Sequence, residues 1–191
     1  SLDEEINRRI VSFLDAMMKQ KRFVYNYCLE NKLAEVFFMV GSELAAPPMF
    51  SENTFRQWIM PYSRELIDMV HAHGGKVIQH FHGQIKNLLP YFLEMGADAL
   101  HTIEAPPIGN CTMRDAFNIV GDQLTLIGNI QYDDFRCFSK EEMRLAVTAL
   151  LEEKRKKKFI LSPSAGPFDP EVGDSFLENY LAMLETAWNF Q

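Results

Sequence analysis

An alternation runs through this chain and limits what it can fold into. Short apolar runs, closed by glycine or polar residues, are each followed by a longer stretch with apolar side chains at three- and four-residue steps. The runs "AEVFFMVG" (34–41), "KVIQHFH" (76–82), "ADALHTIE" (97–104), "QLTLIGNI" (123–130) and "KFILSPS" (158–164) are too short for stable helices and predict buried strands. A leading segment, residues 1–33, holds a helix over about 3–30, because Ile6, Ile10, Phe13, Leu14, Met17 and Met18 recur at helical steps with no Pro or Gly among them. Further helices are expected over 51–75, 85–96, 112–121, 139–157 and 171–190. Ser51 and Ser139 are placed as N-caps, Glu142 closes a capping box, and Gly74 or Gly75 and Gly96 stop their helices. Pro61 kinks the second helix or splits it in two.

Strands alternating with helices at this spacing form parallel βαβ units with right-handed crossovers. The chain therefore reads as a single α/β domain, residues 1–191. No G-x-G-x-x-G follows the first strand and no G-x-x-x-x-G-K-[ST] occurs, which lowers the weight of a nucleotide-binding architecture. A flavodoxin-like open sheet and part of a (β/α)₈ barrel remain. A whole barrel takes ~250 residues, and this chain has 191.

A net charge of −7 argues against nucleic acid or an anionic membrane surface as the main partner. No apolar stretch approaches the ~20 residues that a membrane span needs, and no signal peptide is visible. The basic run "KRKKK" (154–158) reads as a solvated helix C-terminus. Cys28, Cys111 and Cys137 are odd in number, widely spaced and without a C-x-x-C pair. That fits a reducing, cytoplasmic setting and offers no thiolate metal site.

In either architecture the C-terminal ends of the parallel strands gather function. Here they are Gly41-Ser42-Glu43, His80-Phe81-His82-Gly83, Glu104, Gly128-Asn129 and Ser162-Pro163-Ser164, a rim that reads as a ligand site. His80 and His82, two apart in extended chain, point to one face. With Glu104 they make a candidate zinc site that keeps a position open for substrate, Glu43 being a fourth ligand or a supporting group. The alternative is that the histidines only hydrogen-bond substrate or loop carbonyls. His71 and His73 fall in a last helical turn, where a cation suits the dipole. His101 is expected to pack under a helix, outside the site.

The segments "GSELAAPPMFSENTFRQWIMPYSRELIDMVHAHGGKVIQHFHG", "EMGADALHTIE", "LIGNIQ" and "ILSPSAGPFDP" occur in an order and spacing that resembles the uroporphyrinogen decarboxylase superfamily. The resemblance runs from about residue 35 and corresponds to the C-terminal half or so of a family member. It implies a (β/α)₈ barrel, of which the units here would be about five-eighths. It also implies one of two chemistries. Uroporphyrinogen decarboxylases, carboxy-lyases of porphyrin biosynthesis, need no cofactor and grip the tetrapyrrole with arginines and an aspartate from a part of the family pattern that has no counterpart here. The late histidine of their loop is also missing, since the matching stretch is Ser164-Ala165-Gly166. Corrinoid-dependent methyltransferases carry zinc on a His-x-Cys pair matching His80-Phe81-His82, a further Cys near Ala165, and an acidic residue near Glu104. The chain is closer to this branch through its "GSE", its H-x-H-G and its "SPS-x-G" loop. It departs in having His82 and Ala165 where cysteines are usual, which makes a zinc site harder and weaker.

The resemblance thus implies a methyltransferase-type enzyme acting on a methylated small molecule or a methyl-corrinoid, the latter free or borne by a partner protein. His80, His82 and Glu104 would be zinc ligands, Glu43 and His82 would act in catalysis, and Asn129, Ser162 and Ser164 would orient the substrate. The alternatives are a uroporphyrinogen decarboxylase and a barrel that binds a tetrapyrrole or a protein partner without catalysing anything. Part of a barrel leaves unpaired strand edges and an open apolar interior, so self-association and incomplete catalysis by this chain alone are expected.

Overall fold

The computed structural model describes residues 2–153, 157–167 and 170–190. Helix α1 (Leu2–Glu30) leads into β1 (Val36–Met39), α2 (Glu52–Trp58), α3 (Met60–Ala72), β2 (Lys76–His80), α4 (Leu89–Met95) and β3 (Ala99–His101). Then come α5 (Met113–Val120), β4 (Thr125–Ile130), α6 (Tyr132–Cys137), α7 (Lys140–Glu153), β5 (Phe159–Pro163) and α8 (Asp174–Asn189).

The five strands form one parallel sheet in the order β1-β2-β3-β4-β5. A doubly wound sheet reverses its strand order partway and carries helices on both faces. A sequential order with right-handed crossovers puts every helix on one face, which is the winding of a barrel. The side chains agree. Phe37, Met39, Val77 and Gln79 are buried on the helix side, whereas Val36, Phe38 and Val40 on the other face of the sheet are about half exposed. The fold is therefore an α/β arc of a (β/α)₈ barrel, with the barrel's inner face open.

The core lies between sheet and helices. Phe55 of α2 meets Phe81 and Phe92 edge-on at ring separations of 5.6 and 5.7 Å, and all three are fully buried. Each such side chain contributes roughly 1.5–3 kcal/mol by leaving water. Helix α1 is fastened to the α2–α3 pair by the Arg22–Glu65 ion pair, by the Tyr62 hydroxyl donating to Asp15 at 2.9 Å, and by the Trp58 indole donating to Asn7 at 3.2 Å.

Several boundaries follow local chemistry. Ser51 caps α2 by accepting from the Thr54 N–H at 3.2 Å. The expected helix over 51–75 is split at Ile59, and Pro61 opens α3, where its missing N–H costs nothing. Ser139 and Glu142 exchange the reciprocal bonds of a capping box. Helix α6 was not expected: six residues are too few for a periodic apolar pattern. The strand expected over 97–104 shrinks to Ala99–His101. The reason is the following loop, which turns back so that the Cys111 N–H donates to the Glu104 carbonyl at 3.1 Å, away from the ladder with β4. Of the basic run, residues 154–156 lie outside the described residues, and Lys157, past the end of α7, reaches Asp122 at 3.6 Å.

Gly109 makes that return possible. A β-carbon there would sit 2.1 Å from the Glu104 carbonyl oxygen, so no larger residue fits without moving backbone. Gly109→Ala is expected to cost about 1–3 kcal/mol of stability, the range for forced overpacking, read as a lower urea midpoint at unchanged slope.

Candidate active site

Strand register decides which side chains share the open face. His80 pairs with His101 on β3, His101 with Ile127 on β4, and Asn129 with Ser162 on β5. Residues paired across a parallel sheet point the same way, and positions two apart along a strand do too. His80, His101, Asn129 and Ser162 therefore occupy the open face at the C-terminal ends of their strands. Beneath them, toward the N-terminal ends of the strands, lies a concavity of about 620 Å³ of mixed character, where Val36, Ile78, Ala99, Ile127 and Ile160 are joined by charged Lys76, Asp98 and Lys158.

Glu104 is the hub of the rim. It is 4% exposed, and its two oxygens are both engaged: one lies 2.9 Å from His82 Nδ1, the other accepts the Gly83 N–H at 2.7 Å. Burial alone would push its carboxyl up, but these two donors and the nearby imidazoles leave it below the usual range. Gly83 adopts a φ of +83°, which turns its N–H back to Glu104, and Gln84 N–H then donates to the Pro47 carbonyl at 3.2 Å. The loop after β2 is thereby tied both to the tip of β3 and to the loop after β1.

The histidines diverge in chemistry. Hydrogen bonding to Glu104 raises His82, with Glu43 adding to the effect. Burial lowers His80 to about 4, helped by His82 and His101 and opposed by Glu43 and Glu104. His101 is also lowered, chiefly by burial. His80 Nδ1 lies 2.7 Å from His101 Nδ1, and His101 Nε2 lies 3.0 Å from the Pro163 carbonyl oxygen. The His80 and His82 rings meet edge to face with centroids 4.6 Å apart, and Phe38 packs against both His80 and His101. Glu43, in a single 3₁₀ turn over Glu43–Ala45, accepts the Gly41 N–H at 2.7 Å and acts on both His80 and His82 by its charge.

The rim thus brings together His80, His82, Glu104 and Glu43, with Asn129 and Ser162 on the same face. Ser164 does not join them. It is 2% exposed, its hydroxyl accepting the Tyr132 N–H at 3.2 Å and lying 3.3 Å from Gln131 Oε1, so it fixes the start of α6. Glu104, expected as a third ligand, has one oxygen beside His82 Nδ1 and the other on the Gly83 N–H, an arrangement that places it to orient His82. Among the described residues, no three His, Cys, Asp or Glu side chains are grouped so as to hold a metal by themselves. His101, expected under a helix, belongs to the site. His71 and His73 do not: His71 pairs with Asp98 at 2.7 Å at the far end of the strands, and His73 Nδ1 faces the Met69 carbonyl. Cys111 is buried, its thiol pushed up to about 11, and supplies no thiolate.

Among the described residues no helix is long and apolar enough to cross a membrane. No curated protein matches the sequence. Among solved structures, a methyltransferase from Methanosarcina mazei is similar, with a TM-score of 0.62 at 19% identity, over 80% of this chain and 41% of that one. The chain spans about two fifths of that structure's length, and a likeness at this identity shows the fold. Residues 13–189 match the family described as uroporphyrinogen decarboxylase (URO-D), and with nearly its whole length matched the chain belongs to that family.

Proposed function

We propose that this family member transfers a methyl group from a methylated small molecule or a methyl-corrinoid to a small acceptor, with zinc at the His80–His82 pair. The observation that carries the reading is His82 held from behind by the buried Glu104 carboxylate at 2.9 Å, with His80 beside it. Two imidazoles, one of them with a carboxylate at its Nδ1, would supply two of the three protein ligands that catalytic zinc sites use, the remaining positions falling to water or substrate. His80 and His82 would hold the ion, Glu104 would orient His82, and the bound ion would act as a Lewis acid on the acceptor.

The chain's own residues do the rest. Glu43 has one oxygen anchored by Gly41 N–H and the other available, so it takes the acceptor's proton. The acceptor's conjugate base then attacks the methyl carbon, and the bond from carbon to the donor breaks with its electron pair left on the donor. Asn129 and Ser162, on neighbouring strands across the rim, orient the substrates. Ser164 contributes at one remove, through the loop that carries Gln131.

Elemental analysis after zinc loading and dialysis should find zinc on the wild-type chain and only background on His80→Ala/His82→Ala. Glu104→Gln should weaken zinc binding about 10–100-fold, as loss of an orienting partner does. With methylcobalamin as donor and a thiol as acceptor, Glu43→Gln should slow loss of the methylcobalamin absorbance about 10²–10⁴-fold. Equal zinc in wild type and double variant ends the metal assignment.

Stability of the metal-free chain should also depend on pH in a defined direction. An unfolded histidine takes a proton near 6.5, whereas folded His80 resists until about 4, so stability is lost as pH falls from 6.5 toward 4. His101 acts in the same sense. His82 opposes them: its raised value contributes stability below 6.5 that disappears as pH rises through the folded value. Glu104 contributes above the usual carboxylate range and loses that only at lower pH, and Glu43 is the remaining charge facing the cluster. Urea denaturation across this window should show a shallower acid loss for His80→Asn than for wild type.

The bare sheet face bears on the state of the chain as well. Val36, Phe38, Val40 and Ile160 are each about half exposed beside strand edges at β1 and β5. Sedimentation at micromolar concentration should show self-association, shifted toward monomer by Phe38→Glu.

A further inference from the structure

We infer that His101 is a positioning residue that fixes the tautomer of His80, holding the proton on His80 Nδ1 and leaving His80 Nε2 as the bare nitrogen. The Pro163 carbonyl oxygen can only accept, so the 3.0 Å contact requires the hydrogen on His101 Nε2. A neutral imidazole carries one N–H, so His101 Nδ1 is a bare acceptor. The 2.7 Å contact between the two Nδ1 atoms needs one hydrogen between them, and only His80 can supply it.

Ring geometry supports this assignment. The His80 and His101 rings are 15° from parallel with centroids 4.9 Å apart. With the facing nitrogens at 2.7 Å, that separation is close to the largest two rings can have, so they meet edge to edge in nearly one plane. An imidazole N–H and its lone pair both lie in the ring plane, so the hydrogen bond is well aligned. Phe38, with its centroid 5.3 Å from His80 and 5.7 Å from His101, packs against the pair. A backbone carbonyl of β5 thus sets the hydrogen position on a side chain of β2, through a side chain of β3.

The inference deepens the functional reading, because a ligating or proton-accepting His80 needs one bare nitrogen in a defined place, and a partner on the other nitrogen supplies that. Its test is independent of that reading, since it uses the metal-free chain without substrate. A failure of methyl transfer or of zinc binding would defeat the proposed function and leave the tautomer standing.

The experiment is long-range ¹H–¹⁵N correlation of the imidazole nitrogens near neutral pH in the ¹⁵N-labelled full chain. Wild type should show His80 with a protonated-type Nδ1 shift and a bare-type Nε2 shift, and a ¹⁵N–¹⁵N coupling between the two Nδ1 atoms. His101→Leu should invert the His80 pattern toward the Nε2–H form that histidine prefers in water. His101→Asn, whose side-chain oxygen can accept in place of Nδ1, should restore the wild-type pattern. An Nε2–H His80 in wild type, absence of the cross-bond coupling, or an unchanged pattern in a folded His101→Leu variant would each overturn the inference. The wild-type coupling decides it even if the leucine variant does not fold.

Discussion

A carboxylate shielded from water stays ionised only where donors replace the water it has lost. Glu104 meets that condition through one imidazole and one backbone N–H, and much of the rim is arranged around doing so. Its own carbonyl receives the Cys111 N–H, which folds the loop after β3 back over it, and Gly109 has no side chain to obstruct the return. Its side chain draws in Gly83, whose turn brings Gln84 to the Pro47 carbonyl and so links the tips of β1, β2 and β3. Removing either donor would leave a buried charge with half its solvation, a cost well above that of an ordinary surface pair. The geometry that orients His82 is therefore also the geometry that keeps Glu104 charged.

The same arrangement separates two imidazoles that are neighbours in sequence. His82 has the carboxylate and is drawn toward the charged form; His80 has another imidazole and an aromatic ring, and is held neutral. Sites that need groups of unlike protonation at one pH obtain them by placing similar side chains in unlike surroundings. Here the difference arises from which strand tip each ring faces: the end of the loop-bound Glu104 for one, the last ladder position of β3 for the other.

How much of this could be read in advance depended on the range of the interaction. Local periodicity and capping located the five strands and most of the helices, because those signals are complete within a few residues, and the rule that parallel strands gather function at their C-terminal ends put Glu43, His80, His82 and Glu104 on one rim. His101 falls under a helix only if strand alternation is continued as far as Glu104. The strand stops at His101, so parity is not transmitted past it, and the pairing of His101 with His80 is a register that lies in no local pattern. Ser164 looked like a rim hydroxyl, but its partners are Tyr132 and Gln131, about thirty residues away. Glu104 stands at the rim as the strand order implies, but the backbone N–H that its second oxygen accepts is presented only by the turn at Gly83, which no local pattern announces.

The open face and the histidine chemistry are physically coupled. Phe38 is 51% exposed while its ring packs against His80 and His101, so one side of the low-polarity surroundings that keep these rings neutral is still water. Any surface laid over Phe38, whether more of a barrel or a second copy, would remove that water and lower the local dielectric. Burial would then weigh more heavily against a charged His80, and the attraction between His82 and Glu104 would strengthen, widening the gap between the two imidazoles. By reciprocity, a proton placed on His80 would oppose closure of the face, because it would have to be buried with the ring. What covers the sheet and how the rim is protonated are thus two views of one equilibrium.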